Sequence, residues 1–211
     1  MQRIYINQKQ DIMKRISFAI IFACCTLALA AQDAIRVNYQ GARPTIIDFA
    51  WAYLFSDEDD EDECDQEATA GIEQALSNYR QGLPQEEGTT LTVDEKNGYI
   101  LYEWKYENTM VRIEMCYWNE SDKKHKLFAY SSWFYEDGKP GLGQYDGLTF
   151  YRYTNSTKKM TMCEAPGFDV DYYNSTYTLP RVGKNIIVNK WDDKGKKTQK
   201  TLKWNGRKFT K

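Results

Sequence analysis

"TTLTVDEKNGYILYEWKYENTMVRIEMCYW", residues 89–118, decides how this chain folds. Ile100, Tyr102, Trp104 and Tyr106 alternate with Leu101, Glu103 and Lys105, and Val111, Ile113, Met115 and Tyr117 repeat the same two-residue period. That period sends successive side chains to opposite faces of a strand. Asn97-Gly98 sits between two such runs, a strong short-range signal for a hairpin.

The same grammar continues downstream. "LFAYSSWFY" (127–135), "LTFYRYT" (148–154), "KKMTMCEA" (158–165), "NIIVNKW" (185–191) and "TQKTLKWNGRKF" (198–209) read as strands separated by polar turns, while Pro166 to Tyr177 resists assignment. Aromatics make up 15% of the chain, with 16 tyrosines, a bias that suits flat rings packed on pleated sheet. Upstream, "AIRVNYQ" places Ile35, Val37 and Tyr39 on one face of a short first strand. Thr45 then caps "IIDFAWAYLF" (46–55), an apolar helix. "QEATAGIEQALSNYRQG" aligns Ala68, Ile72, Leu76 and Tyr79 at helical spacing and stops at Gly82. The expected fold class is α+β: two N-terminal helices packed on a curved antiparallel sheet, a sandwich or half-barrel of seven to nine strands.

At the N-terminus, Lys14 and Arg15 precede the uncharged run Ile16 to Ala31, and Ala28 and Ala30 stand at cleavage spacing. This is the pattern of a secretory signal peptide over residues 1–31, with Met13 as an alternative start. The run is short for a membrane span, so no transmembrane segment is expected after cleavage. The expectation is export to the periplasm, the outer surface or the medium, with lipid anchoring through Cys24 or Cys25 as the alternative. Residues 32–211 then form a single domain, with a helical part at 32–82 and the antiparallel sheet at 83–211.

Charge is unevenly spread. Nine of the eleven residues from Asp57 to Glu67 are acidic, whereas residues 181–211 carry eleven cations and two acids. The acidic run reads as a solvated loop joining the helices. Asp57, Asp59 and Glu61 alternate faintly like the start of a calcium loop, but Asp62 stands where that loop needs glycine. They are a weak metal candidate. A chain that is acidic once the leader is removed does not suit a dedicated nucleic-acid binder.

Few catalytic chemistries fit. His125 is the only histidine, so histidine-rich zinc sites are excluded and any triad would depend on that one turn residue. Neither a phosphate-binding glycine loop nor G-x-S-x-G is present, and no cofactor is expected. Cys116 and Cys163 fall on the less apolar faces of their strands and form a possible disulfide, with Cys64 the third cysteine beyond the leader. Binding is the better reading. Trp118, Trp133, Tyr135 and Tyr145 lie beside polar turns or in the glycine-rich 136–147 loop, where exposed rings stack on sugars or anchor a partner. The competing reading has these rings filling the core. Sequons occur at Asn119, Asn155 and Asn174.

"LPRVGKNIIVNKWDDKGKKTQKTLKWNGRKF", residues 179–209, resembles the C-terminal ends of small exported Bacteroidota proteins of unassigned function. They share an LP-x-x-G-x-x-I-x-V strand followed by LKWNG-x-x-F. The resemblance implies an exported bacterial protein and supplies no active-site residue. Taken together, the sequence points to a non-enzymatic cell-envelope protein that binds an envelope ligand or protein partner, with a polysaccharide among the candidates. An envelope glycan hydrolase using two carboxylates is the alternative, and a purely structural envelope component the third reading.

Overall fold

A computed structural model describes residues 34–56, 63–143, 147–192 and 194–211, with side chains of the second helix described from residue 69 onward. The acidic residues Asp57, Asp59 and Glu61, the expected signal peptide over residues 1–31 and Tyr145 lie outside the described residues. The architecture is α+β, with the helices on the N-terminal side of a large antiparallel sheet and a second sheet beyond it.

Helix α1 spans Ile46–Leu54. Thr45 caps it reciprocally: its hydroxyl accepts from the Asp48 N–H at 3.4 Å, and the Asp48 carboxylate accepts from the Thr45 N–H at 2.7 Å. Helix α2 spans Glu63–Gln81, so the end of the acidic run is helical rather than loop. Gly82 follows at φ +66°, a left-handed conformation that ends a helix cheaply only in glycine.

Strands β1 (Ala34–Arg36), β2 (Thr89–Asp94), β3 (Tyr99–Tyr106), β4 (Thr109–Asn119), β5 (His125–Glu136), β7 (Thr149–Thr154) and β8 (Lys159–Cys163) form the large sheet in the order β1-β8-β7-β5-β4-β3-β2. The short β6 (Lys139–Pro140) pairs with β5. The smaller sheet runs β12-β11-β10-β9, from Phe209–Thr210, Lys197–Trp204, Ile186–Trp191 and Ser175–Thr178. The hairpin expected at Asn97-Gly98 forms as β2–β3, but its loop is four residues long. Asp94 faces Tyr99, and the Asp94 carboxylate accepts from both the backbone and the side-chain nitrogen of Asn97. Gly98 takes the positive φ, and the Tyr117 ring lies where a side chain at 98 would go.

The large sheet is covered on both faces. On one, Ile100, Tyr102, Ile113, Met115, Phe128, Tyr130, Tyr151 and Tyr153 pack under α1 and α2. Phe49 of α1 is the centre of that layer: its ring meets Tyr153 edge-on at 5.0 Å and stacks against Phe128 at 5.8 Å. On the other, Tyr99, Cys116, Trp118, Leu127, Ala129, Trp133 and Phe150 pack against Tyr177, Ile186, Leu202, Trp204 and Phe209 of the smaller sheet and its flanks. Phe209 alone touches the rings of Trp118, Phe150, Phe168 and Trp204. Strands β4 and β5 are therefore buried on both sides, which explains why their alternation is apolar-on-apolar.

This second cover corrects the reading of Cys116 and Cys163. Both are free thiols. Cys116 faces Ala129, Ala129 faces Phe150, and Phe150 faces Cys163, so two whole strands separate them. At about 4.8 Å per strand spacing the gap is far beyond disulfide reach. Cys116 is instead part of the core between the sheets.

Candidate functional site: an aromatic-floored cleft

The register that builds the sheet also lines up a row of side chains on its helix-facing side. Thr89 faces Trp104, Trp104 faces Val111, and Val111 faces Phe134 across β2, β3, β4 and β5. One pair further along, α2 no longer covers the strands. Trp104 stays 39% exposed, Phe134 37% and Tyr106 60%. The Trp104 and Tyr106 rings lie nearly parallel, 8° apart in plane with centroids at 6.1 Å.

Between this row and α2 lies a cleft of about 350 Å³. Its floor is Tyr102, Trp104, Val111 and Phe134; its walls are Gly71, Gln74, Ala75 and Asn78 of α2 and Gln85, Glu86 and Thr89 of the segment that returns to β2. Gly71 keeps α2 close to the floor there, because a Cβ would meet the Tyr102 hydroxyl and push that ring end aside. Burial raises the Tyr102 phenol pKa, and the Glu86 charge adds to the shift, while a bond to the Thr89 side chain works against it. The amides brace the wall. Gln74 donates to the Asn78 oxygen at 2.9 Å, Asn78 donates to the Pro84 carbonyl at 3.2 Å, and Gln85 donates to the Ala75 carbonyl at 3.1 Å. The cleft thus offers exposed ring faces below and amide, hydroxyl and carboxylate groups at its rim. That is the mixture that holds a ligand with one apolar face and polar edges.

Two other clusters carry charge. Between the sheets, Glu114 is 2% exposed. It accepts from Tyr99 Oη at 2.6 Å, from Arg112 Nη2 at 3.1 Å and from the Leu179 N–H at 3.3 Å. Arg112 also holds Glu103 at 2.8 Å. Burial works against the Arg112 charge, but Glu114 and Glu103 outweigh it and raise the guanidinium pKa. Burial, reinforced by Glu114, raises the Tyr99 phenol. Every oxygen of Glu114 is engaged, so this network holds the layers in register rather than presenting a carboxylate to a substrate.

At the start of β5, ligand atoms of Glu120, Asp122 and His125 lie within 4.8 Å of one another. They are partly engaged already: Arg152 donates to Glu120 at 2.7 Å, and Asp122 pairs with His125 Nδ1 at 2.6 Å while accepting from two backbone N–H groups. The His125 bond leads the causes that bring the Asp122 carboxyl down to about 2. The arrangement caps a turn.

The expected binding residues fare differently. Trp118 and Trp133 are 4% and 1% exposed, so both fill the core between the sheets, as the competing reading has it. Their indole N–H groups are satisfied, Trp118 by the Lys184 carbonyl at 3.0 Å and Trp133 by the Ser131 hydroxyl at 2.9 Å. Tyr135 is half-buried near Arg112, with burial raising its phenol pKa and a bond to Thr176 opposing the shift. The structure brings none of these three to the cleft. Trp104, which lines it, was visible in the sequence only as one more strand aromatic, with nothing local to mark it as exposed. Among the described residues, no helix is long and apolar enough to cross a membrane. Compared with protein-family models, curated proteins and solved structures, the chain matches none.

Proposed function

We propose that this is an exported cell-envelope protein that binds a saccharide in the cleft between α2 and the β3–β5 end of the large sheet. The observation that carries the reading is the half-exposed Trp104 ring on the cleft floor, with Tyr106 stacked beside it and amides and Glu86 around the rim. Sugar rings stack on aromatic faces through their apolar C–H side, and their hydroxyls bond to amides and carboxylates. The cleft is lined by one carboxylate, Glu86, and so gives the two-carboxylate hydrolase reading no support. A shallower depression lined by Asp48 and Glu95 adds little, because Asp48 is engaged in the α1 cap.

Titration of the mature protein with short neutral hexose and N-acetylhexosamine oligosaccharides, followed by tryptophan fluorescence and calorimetry, tests this. Wild-type protein binds at least one class, and Trp104→Ala reduces affinity about two- to tenfold, the loss of one stacked ring. Failure of every oligosaccharide to bind, or unchanged affinity in Trp104→Ala, overturns the proposal. Fractionation of producing cells tests export; retention of the full-length chain in the cytosol rejects it.

A further inference from the structure

The opposite end of the large sheet is cationic, and it is built from both sheets. The β4–β5 turn bonds to the β11–β12 turn through Ser121 N–H and the Gly206 carbonyl at 2.8 Å. The β7–β8 turn bonds to the β4–β5 turn through Asn155 N–H and the Lys124 carbonyl at 3.0 Å, and through Asn155 Nδ2 and the Lys123 carbonyl at 3.0 Å. The 179–185 segment joins them, with the Lys184 carbonyl accepting from Trp118 and Arg181 pairing with Asp94 at 3.1 Å. These contacts gather Lys123, Lys124, Arg181, Lys184, Arg207 and Lys208, all exposed, at one end.

The acids nearby offset only part of this charge. Asp94 is paired with Arg181 and Glu120 with Arg152, while Asp122, held by its own turn, and the exposed Glu95 keep their negative charge against the five remaining cations. Among the described residues, no salt bridge reaches Lys123, Lys124, Lys184, Arg207 or Lys208. Cations in excess of their counter-charges repel one another, and an anionic partner relieves that repulsion. Val182 identifies the kind of partner. It stands 78% exposed between Arg181 and Lys184, an apolar side chain thrust out among cations. Cations around a protruding apolar group suit a lipid surface, where phosphates meet the charges and the apolar group enters the headgroup boundary.

We propose that this end docks on the anionic headgroups of a membrane. The inference is independent of the saccharide cleft, which lies at the other end of the same strands. Co-sedimentation with phosphatidylcholine vesicles containing about 30% phosphatidylglycerol, against pure phosphatidylcholine, tests it. The mature protein sediments with the anionic vesicles, not with the neutral ones, and the bound fraction falls as salt rises. Each cation near the surface contributes about fivefold, so Lys124→Glu with Lys184→Glu, or Arg207→Glu with Lys208→Glu, lowers partitioning at least about 25-fold. Val182→Ser lowers it by a smaller factor. Lys105→Glu with Lys139→Glu at the aromatic end, and Trp104→Ala in the cleft, leave it unchanged. Unaltered thermal unfolding of each variant shows that folding is not the cause. Equal binding to neutral vesicles, no binding to anionic ones, or an undiminished response in either cationic double variant overturns the proposal. Retention on heparin without vesicle binding also overturns it, by assigning the surface to a soluble polyanion.

Discussion

The two ends of the large sheet are made from the same strands and finish in opposite chemistries. At one end, β3, β4 and β5 run past α2 and leave Trp104, Tyr106 and Phe134 partly bare. At the other, the turns are tied to one another by backbone hydrogen bonds and carry lysines and arginines into solvent. The middle of the sheet is covered on both faces and holds the stability. The contrast separates two roles that composition alone merges: aromatics in the middle are core, and aromatics at one end are surface. At that end the two faces also part company, with Trp133 under the second sheet 1% exposed and its neighbour Phe134 on the cleft face 37% exposed.

That pair gives the largest expected effect. Trp133→Ala should cost about 3–5 kcal/mol of folding stability, because it opens a cavity between the sheets, whereas Phe134→Ala should cost about 1 kcal/mol or less. Urea unfolding of both variants checks the difference, and equal losses would break the division of β5 into a core face and a cleft face. Next in size is Arg112→Ala. It strips the buried Glu114 of its cation and should cost about 2–3 kcal/mol, less than for a fully dry pair because Arg112 is 29% exposed. Adding Glu114→Gln should recover part of that loss, and a double-mutant cycle measures the coupling.

Gly71→Ala probes the cleft itself. The new methyl group pushes the Tyr102 hydroxyl at the cleft floor, so oligosaccharide affinity should fall, while stability should change by no more than about 1 kcal/mol because alanine's helix propensity offsets the strain. Unchanged affinity would detach the cleft wall from binding. The smallest effect is a pH response. Burial pushes the Cys163 thiol up to about 11, against an ordinary value near 9.0. The unfolded chain therefore loses that proton first. The stability linked to this thiol is intact below pH 9.0 and disappears as pH rises through about 11. The same shift makes Cys163 slow to alkylate in the native state at pH 8, while denaturant should restore ordinary reactivity. Fast native alkylation would show that the outer edge of the core between the sheets is open.

Much of the backbone was legible in the sequence because its signals are local. The Thr45 cap, the stop at Gly82 and the alternation from Ile100 to Tyr106 each depend on residues within one turn or one strand. Three strands of the smaller sheet were legible, but only as separate strands, and β9 fell at the end of the stretch from Pro166 to Tyr177 that resists assignment. The placement of this sheet over Cys116, Trp118 and Trp133 depends on contacts with Leu202, Trp204 and Phe209, far away in the chain, and no local pattern encodes these. The cleft was hidden for a related reason. Trp104 and Trp118 look alike as strand aromatics, and what separates them is where the covering layer ends.

By itself, then, the sequence determined the elements: two helices, a succession of aromatic hairpins, an uncharged leader-like run and a basic C-terminal segment, all written in short-range period, capping and charge. Tertiary structure decided which faces those elements hide. Burial belongs to pairs of surfaces, so the fate of each ring depended on whether a second layer reached it. The second sheet reached Trp118 and Trp133, and α2 stopped short of Trp104.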